Sequence, residues 1–228
     1  MPCECWIVFA GFPKRQARGR GTVTVLENKQ DLRARLRHSR KEYGAAVGSE
    51  KSLEAARAAA RVALRLSVFE RAQTVALYAA RGFELDPIIL AERLLATAVI
   101  GYPRIENKTP PTLSFRVSRP SDLVPGAFDL LEPSASARVM PPVDVFVVPG
   151  LGFDDKGRRL GQGGGYYDAA LQATPEAVRV GFAYDVQLVS EIPVEDHDEP
   201  MDYVVTPTRY LATSARGFVA DLAKEVLS

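Results

Sequence analysis

The sequence predicts an α/β fold with a mainly parallel sheet, and two patterns indicate it. Short apolar runs rich in β-branched residues alternate along the chain with longer segments whose apolar residues recur at helical spacing. The run Val145 to Val148 contains no polar residue, which is typical of a strand buried on both faces. The 228 residues, 46% of them hydrophobic, are enough for one sizeable core.

Two basic helices are predicted in the amino-terminal third. Over residues 27–43, Leu32 and Leu36 lie four positions apart among many charged residues, which indicates an amphipathic helix with a narrow apolar stripe. A second helix is predicted over residues 49–69. Residues 1–73 hold 15 Lys and Arg against 7 Asp and Glu. This surplus would help to bind a polyanion, but we expect most of these charges simply to face water.

The remaining elements are predicted in alternation. A helix is expected from Pro87, which suits the first turn of a helix, to Leu95. A further helix is expected to begin at Tyr166, and a closing helix is predicted over residues 208–227. Strands are predicted at residues 74–79, 97–101, 113–117, 145–148, 177–184 and 203–207.

Composition argues against several classes of protein. A net charge of +1 provides no general case for a nucleic-acid or membrane surface. Cys3 and Cys5 are too few and too close together for a disulfide framework or a structural zinc site. The apolar run from Trp6 to Ala10 is too short to span a bilayer. We therefore expect a cytoplasmic monomer with no nucleic-acid or membrane partner.

The loop that follows Val148 carries the clearest signal for phosphate binding. Seven glycines lie between positions 150 and 165, and a helix is expected to begin directly after them. A strand, a glycine loop and a helix start allow backbone N–H groups to converge on an anion. Arg158 and Arg159 lie just before the last glycines, where a guanidinium could bind phosphate oxygens, and Asp168 could hold Mg²⁺. The alternative is a flexible glycine loop in which Asp168 only caps the helix.

Three segments of this loop resemble the signature of the 5-formyltetrahydrofolate cyclo-ligase family, also called methenyltetrahydrofolate synthetases. They are PGLGFD at residues 149–154, GRRLG at 157–161 and GGGYYD at 163–168. K-x-x-L-R at residues 29–33, Pro103-Arg104 and G-x-x-x-L-x-E-P at residues 126–133 are also similar to family motifs. The resemblance covers roughly residues 27–207. It implies a three-layer α/β/α sandwich shared with ribose-5-phosphate isomerase and CoA transferases, in one domain over residues 22–228. We expect residues 1–21 to be a disordered extension.

The resemblance also implies a reaction. It is the ATP- and Mg²⁺-dependent cyclisation of 5-formyltetrahydrofolate to 5,10-methenyltetrahydrofolate, with release of ADP and phosphate. Because a formyl oxygen is a poor leaving group, its phosphorylation would let N10 close the ring. The protein then has to place the γ-phosphate in line with that oxygen and neutralise the charge that moves.

The resemblance assigns site residues in groups. The ATP-binding group is Lys29, Gln30, Asp31, Leu32, Arg33, Arg159, Leu160, Gly161, Gln162, Gly163, Gly164, Gly165, Tyr166 and Tyr167. The folate-binding group is Ala79, Glu84, Arg104, Gln162, Gly163, Gly164, Gly165 and Tyr166. Asp168 and Asp198 would bind Mg²⁺, and the catalytic residues would be Lys29, Arg159 and Tyr166. Gln162 and Ala169 depart from the usual family residues, which puts folate affinity in doubt more than chemistry.

Other interpretations remain open at the level of sequence. Without the resemblance, Lys29 and Arg33 would be surface charges on a helix, and residues 195–198 an acidic loop. One competing hypothesis is a nucleotide-binding regulator or RNA-associated module without activity, against which the joint presence of Lys29, Glu84, Asp168 and Asp198 argues. Another is an isomerase or transferase on the same fold, which activity without ATP hydrolysis would reveal.

Overall fold

A seven-stranded sheet forms the centre of the computed structural model, which describes residues 28–213. Five strands run parallel in its middle, and one antiparallel strand pairs at each edge. In spatial order the strands are β11 (Tyr210–Ala212), β10 (Tyr203–Val205), β9 (Val178–Phe182), β6 (Val145–Val148), β1 (Thr74–Ala76), β2 (Val99–Lys108) and β3 (Pro111–Val117).

Helices cover both faces of this sheet. On one face, α1 (Lys29–Ala63), α2 (Ser67–Arg71) and α3 (Ile88–Leu94) share a large apolar cluster with side chains such as Val75 and Val147. On the other face, α4 (Tyr166–Gln172) contributes Leu171 to a second cluster. The alternation of Val147 and Val148 between the two clusters follows from the two-residue period of a strand. The predicted three-layer α/β/α fold is therefore confirmed.

The two predicted amino-terminal helices form one 35-residue element with a kink. Asn28 caps α1, because its side chain accepts hydrogen bonds from the backbone N–H groups of Gln30 and Asp31. Gly48 interrupts the helical backbone with φ 72° and ψ 175°. Glycine suits this position because it tolerates positive φ without a Cβ clash. The kink separates a part of α1 that contributes to the site from a part that packs in the large cluster.

Two pairs of very short strands lie outside the sheet. β4 (Val124–Pro125) pairs with β5 (Leu131–Glu132), and β7 (Gly152–Phe153) pairs with β8 (Arg159–Leu160). β7 and β8 follow the carboxyl end of β6, whereas β4 and β5 lie in the connection from β3 to β6. They give these long connections a fixed shape.

The carboxyl end of the described chain differs from the sequence-based prediction. The closing helix predicted over residues 208–227 is wrong for its start, because Tyr210–Ala212 forms the edge strand β11. Leu211 pairs with Val204, so strand pairing at an open sheet edge outweighs the apolar spacing that suggested a helix. Residues 214–228, like residues 1–27, lie outside the described part. Among residues 28–213, no helix combines the length and apolarity needed to cross a membrane.

Candidate active site

A cavity of about 460 Å³ lies where β1 and β6 end, at the carboxyl edge of the parallel strands. Open α/β sheets bind ligands at this edge. The structure brings together here most of the site residues predicted from the sequence. Those that line the cavity are Ala79, Glu84, Arg159, Gly161, Gln162, Gly163, Gly164, Gly165, Tyr166, Tyr167 and Asp168.

An apolar wall forms another side of the cavity, and sequence reasoning did not find it. Ile105 and Leu113 come from the β2–β3 hairpin, Phe128 comes from the connection between β4 and β5, and Leu131 belongs to β5. Phe128 is 49% exposed and has a φ of 56°, which is uncommon for a residue with a side chain. A large exposed aromatic residue with a strained backbone, next to a cavity, indicates a ligand-contacting surface. The exposure of Phe128 is visible only in the structure, so the sequence carried no signal for this wall.

The β7–β8 hairpin shapes the glycine loop, and a buried carboxylate holds the hairpin. Asp154 is fully buried and accepts hydrogen bonds from the backbone N–H groups of Lys156, Arg158 and Ile192, each at 3.0 Å. Its Oδ2 also lies 2.6 Å from Arg158 Nε. Arg158 therefore has a structural partner, and Arg159 is the arginine of this pair that reaches the cavity.

Arg159 and Asp168 form a buried ion pair at the floor of the glycine loop. Arg159 Nη2 donates to Asp168 Oδ1 at 2.7 Å, and the two side chains are only 5% and 19% exposed. Arg159 Nε is buried and has no hydrogen-bond partner within the described residues. Because buried N–H groups are nearly always bonded, this unsatisfied donor marks Arg159, which lines the cavity, as a candidate ligand-binding side chain. The pair thus presents both an anion-binding group and a hard oxygen to the cavity.

Lys29 lies between two acidic side chains rather than on a solvated helix face. Its Nζ is 2.8 Å from Glu195 Oε2 and 2.6 Å from Asp198 Oδ2. Burial by itself would lower the pKa of Lys29, but the hydrogen bonds to Asp198 and Glu195 outweigh it and raise that pKa. Lys29 is therefore held as a cation at the first turn of α1.

The acidic side chains around Lys29 also form a group of potential metal ligands. Ligand atoms of Glu195, His197 and Asp198 lie within 4.8 Å of one another. In residues 28–213 this is the one cluster of three such groups, and Asp168 is not part of it. Asp168 instead lies at the cavity, beside Arg159. Joint binding of one Mg²⁺ by Asp168 and Asp198 therefore stays a prediction.

A row of basic residues on α1 faces the site. We call Lys29, Arg33, Arg37 and Arg40 the basic stripe, because steps of three and four residues place them on one side of the helix. Arg33 Nε donates to the carbonyl of Gly161 at 3.2 Å, and Arg37 Nη2 donates to Gln162 Oε1 at 3.0 Å. Of the basic stripe, the sequence analysis assigned Lys29 and Arg33 to the site. Its helical spacing is the signal that would have added the other two arginines.

Three predicted site residues have structural partners that explain them in another way. Leu32 and Leu160 are 2% and 1% exposed and pack together in a small apolar cluster. Arg104 donates to Glu132 Oε2 at 3.3 Å and to the carbonyl of Pro133 at 3.0 Å. Glu132 lines the cavity, whereas Arg104 is not among the lining residues. Ligand contacts by Leu32, Leu160 and Arg104 remain predictions.

Glu84 is the other carboxylate of the cavity. Burial raises its pKa above the ordinary value, and the charge of Arg40 opposes this shift. Arg40 Nη1 lies 3.1 Å from Glu84 Oε1 and donates also to the carbonyl of Gly150 at 3.3 Å. Tyr167 lines the same cavity. Its hydroxyl is buried without a partner within residues 28–213, and burial raises its pKa. A carboxylate acceptor and a neutral hydroxyl donor thus lie next to the glycine loop.

The fold and the cavity at its sheet edge are those of an α/β enzyme that acts on small molecules. The profile of the 5-formyltetrahydrofolate cyclo-ligase family matches residues 25–207, and the chain belongs to this family. It is 37% identical over 145 residues to the 5-formyltetrahydrofolate cyclo-ligase of Escherichia coli K12, a match that covers 60% of this chain and 80% of the relative. The enzyme of the same name from Mycolicibacterium smegmatis is also 37% identical over 145 residues, covering 60% and 75%.

A solved structure agrees with this assignment. The fold is similar to that of Aquifex aeolicus 5,10-methenyltetrahydrofolate synthetase, with a TM-score of 0.67 and 31% identity. The similarity covers 82% of this chain and 93% of that one. The family resemblance inferred from the glycine loop is thereby confirmed, as is the classification of the protein as an enzyme of folate metabolism.

Proposed function

We propose that this enzyme is an ATP- and Mg²⁺-dependent 5-formyltetrahydrofolate cyclo-ligase that forms 5,10-methenyltetrahydrofolate, ADP and phosphate. Family membership indicates the conversion of the folate, and the site supports the use of a nucleotide. The observation that carries the proposal is Arg159, a buried guanidinium whose Nε has no partner within residues 28–213, beside a glycine loop in a 460 Å³ cavity. An unpaired buried donor of this kind fits a phosphate oxygen.

Activation of the formyl oxygen is the chemical problem that the site has to solve. Transfer of the γ-phosphoryl group to this oxygen breaks the bond to ADP and forms an imidate-like phosphate ester. N10 then attacks the activated carbon, phosphate leaves with the former formyl oxygen, and N10 loses its proton. No covalent bond to the protein is needed, so catalysis depends on position and charge.

The chain's own residues can divide this work. Arg159, the amides of the glycine loop and Lys29 would bind phosphate oxygens and the charge that develops on them. Glu84 and Tyr167 would bind polar groups of the folate ring system, and the wall around Phe128 would contact its apolar parts. The apolar wall also keeps water from the activated oxygen, which limits hydrolysis of the intermediate.

The donors present also suit magnesium. Mg²⁺ prefers hard oxygen ligands and commonly binds through one or two carboxylates together with phosphates and waters. Asp168 uses Oδ1 for Arg159, which leaves Oδ2 as a ligand, and Asp198 offers a second carboxylate near Lys29. A bound Mg²⁺ would neutralise phosphate charge and orient the γ-phosphate.

A direct assay tests the proposal. Purified protein is mixed with 5-formyltetrahydrofolate and Mg-ATP, and the near-ultraviolet absorbance of the methenyl product is followed. We expect product only when both ATP and Mg²⁺ are present, with one ADP formed per ring closed. Product formation without ATP would refute the proposed chemistry, and ATP binding without product would favour a regulator. Asp155→Asn, which removes an exposed carboxylate from the same connection, is a matched control for the cavity variants.

A further inference from the structure

Arg40 joins two parts of the site that are far apart in the sequence. It lies on α1, is 8% exposed, and its Nη1 contacts both Glu84 Oε1 and the carbonyl of Gly150. Glu84 follows β1, whereas Gly150 opens the glycine loop after β6. One guanidinium therefore connects the turn that carries the cavity carboxylate to the entrance of the phosphate-binding loop.

The same two anchor points have further fixed partners. Glu84 Oε2 accepts a hydrogen bond from the backbone N–H of Arg81 at 3.0 Å, so both carboxylate oxygens are held. The carbonyl of Gly150 also accepts from Gln187 Nε2 at 2.8 Å. Gln187 is 3% exposed and is itself fixed, because its Oε1 accepts from the backbone N–H of Tyr184. The two groups that Arg40 binds are thus each held by a further hydrogen bond, so the Arg40 side chain is fixed and not a mobile surface charge.

A close contact one helical turn further along α1 helps to position the loop that carries Glu84. A Cβ at Gly44 would overlap the ring of Phe83, which directly precedes Glu84. The absence of a side chain at Gly44 therefore allows Phe83 to pack against the helix. Arg40 and Gly44 together fix the turn of residues 81–84 by charge and by shape.

We propose that Arg40 is a positioning residue of the cyclo-ligase reaction, which orients the Glu84 carboxylate toward the folate and locks it to the glycine loop. The inference rests on the proposed function, because it takes Glu84 as a folate ligand. A carboxylate accepts hydrogen bonds only, and the ring system of the substrate carries amino and N–H donors that match it. Such a match depends on a fixed orientation and on an ionised carboxylate.

The charged surroundings of Glu84 predict a dependence on pH. The groups that face it are Arg40 on α1, Arg81 in its own turn, Tyr78 after β1 and Tyr167 on α4. Burial raises the pKa of Glu84, and Arg40 is the strongest opposing influence. Removal of Arg40 would therefore raise this pKa further. Glu84 would then become protonated at a higher pH, and the acidic limb of kcat/KM for the folate would move upward in pH.

Steady-state kinetics of Arg40→Met, Arg40→Lys, Glu84→Gln and the double variant Arg40→Met/Glu84→Gln test the inference. We expect Arg40→Met to raise KM for 5-formyltetrahydrofolate about 10- to 100-fold, while KM for Mg-ATP changes much less. Arg40→Lys keeps the charge, so the acidic limb should stay near its wild-type position. In the Glu84→Gln background the additional effect of Arg40→Met should be small, because the two residues act together.

Arg57→Met is the matched control, since Arg57 is an exposed arginine on the same helix beyond the kink. Wild-type values for Arg40→Met, or equal rises in both KM values, would overturn the inference. The inference would also be overturned if the rise in KM for the folate in the double variant equalled the product of the rises in the two single variants. If Arg40→Met does not fold, Arg40→Lys decides, and a shifted acidic limb in that variant contradicts the proposed role. A wild-type protein without product would instead refute the proposed function, and this inference with it.

Discussion

Lys29 Nζ lies 2.6 Å from Asp198 Oδ2, although 169 positions separate these residues in the chain. The contact joins the first turn of α1 to the loop between β9 and β10. It brings a predicted ATP-binding cation and a predicted magnesium-binding carboxylate into direct contact. A phosphate that binds the Lys29 ammonium group would therefore compete with the Asp198 carboxylate for its N–H donors.

Replacement of Lys29 should weaken nucleotide binding specifically. We expect Lys29→Met to raise KM for Mg-ATP about 10- to 100-fold, because a charge-assisted contact to phosphate is lost. KM for the folate should change little. The kinetic constants of both substrates are measured beside Lys41→Met, which removes an exposed lysine from the same helix. An unchanged KM for Mg-ATP would exclude Lys29 from the nucleotide site.

The raised pKa of Lys29 also predicts an effect on stability at alkaline pH. A pKa that is higher in the folded state means that the folded protein holds this proton more tightly. The resulting stabilisation is complete below the unfolded-state pKa of about 10.4 and is lost as pH rises through the folded-state value. The difference in unfolding free energy between wild type and Lys29→Met, from urea titrations, should therefore shrink above that pH. A difference that grows there would contradict this assignment.

Loss of the Asp168 charge should affect turnover and stability together. Asp168→Asn leaves Arg159 buried without its anionic partner, which we expect to cost about 1–3 kcal/mol of unfolding free energy. Turnover should fall by about 100-fold or more, since the variant loses a predicted magnesium ligand as well. Chemical denaturation and the absorbance assay measure the two effects, with Asp155→Asn as the control. Wild-type turnover in Asp168→Asn would refute the metal assignment.

Two glycines with a similar positive φ are expected to differ in how much their substitution by alanine destabilises the protein. Gly157 has a φ of 78°, and a Cβ there would overlap the carbonyl of Met201 and lie 2.8 Å from Thr213 Oγ1. Gly48 has a φ of 72°, but a Cβ there would meet no atom within 4 Å. Gly48→Ala should therefore cost only the backbone term of about 1–3 kcal/mol, and Gly157→Ala clearly more. Equal losses in thermal unfolding would show that the loop around Gly157 relaxes freely.

Local patterns in the sequence were sufficient for six of the seven strands of the sheet and for the glycine loop, whereas the edge strand β11 was predicted as helix. The apolar run at Val145–Val148 and the glycines before α4 are continuous in the chain, so the strand, the loop and the helix start could all be predicted. Glu84 could be placed at the cavity because it follows a strand in a parallel sheet. These predictions need no knowledge of distant contacts.

Features that depend on contacts between distant segments could not be predicted. The helical spacing of Arg40 indicates only which side of α1 it lies on, and its role depends on the approach of Glu84 and Gly150. Leu160 belongs to the glycine loop motif, yet its side chain is 1% exposed because α1 packs against it. The apolar wall is drawn from separate segments, so no single stretch carries its signal.

The kink at Gly48 divides α1 into halves with different neighbours. Before it, Leu32 and Leu36 pack in a small cluster beside the glycine loop, whereas Ala59 and Ala60 beyond it belong to the large core. The backbone amides of the first half should therefore exchange with solvent deuterium through a local opening, and those of the second half only when the whole domain unfolds. A nucleotide that engages the basic stripe would slow exchange in the first half alone. Binding could thus be followed residue by residue without any turnover.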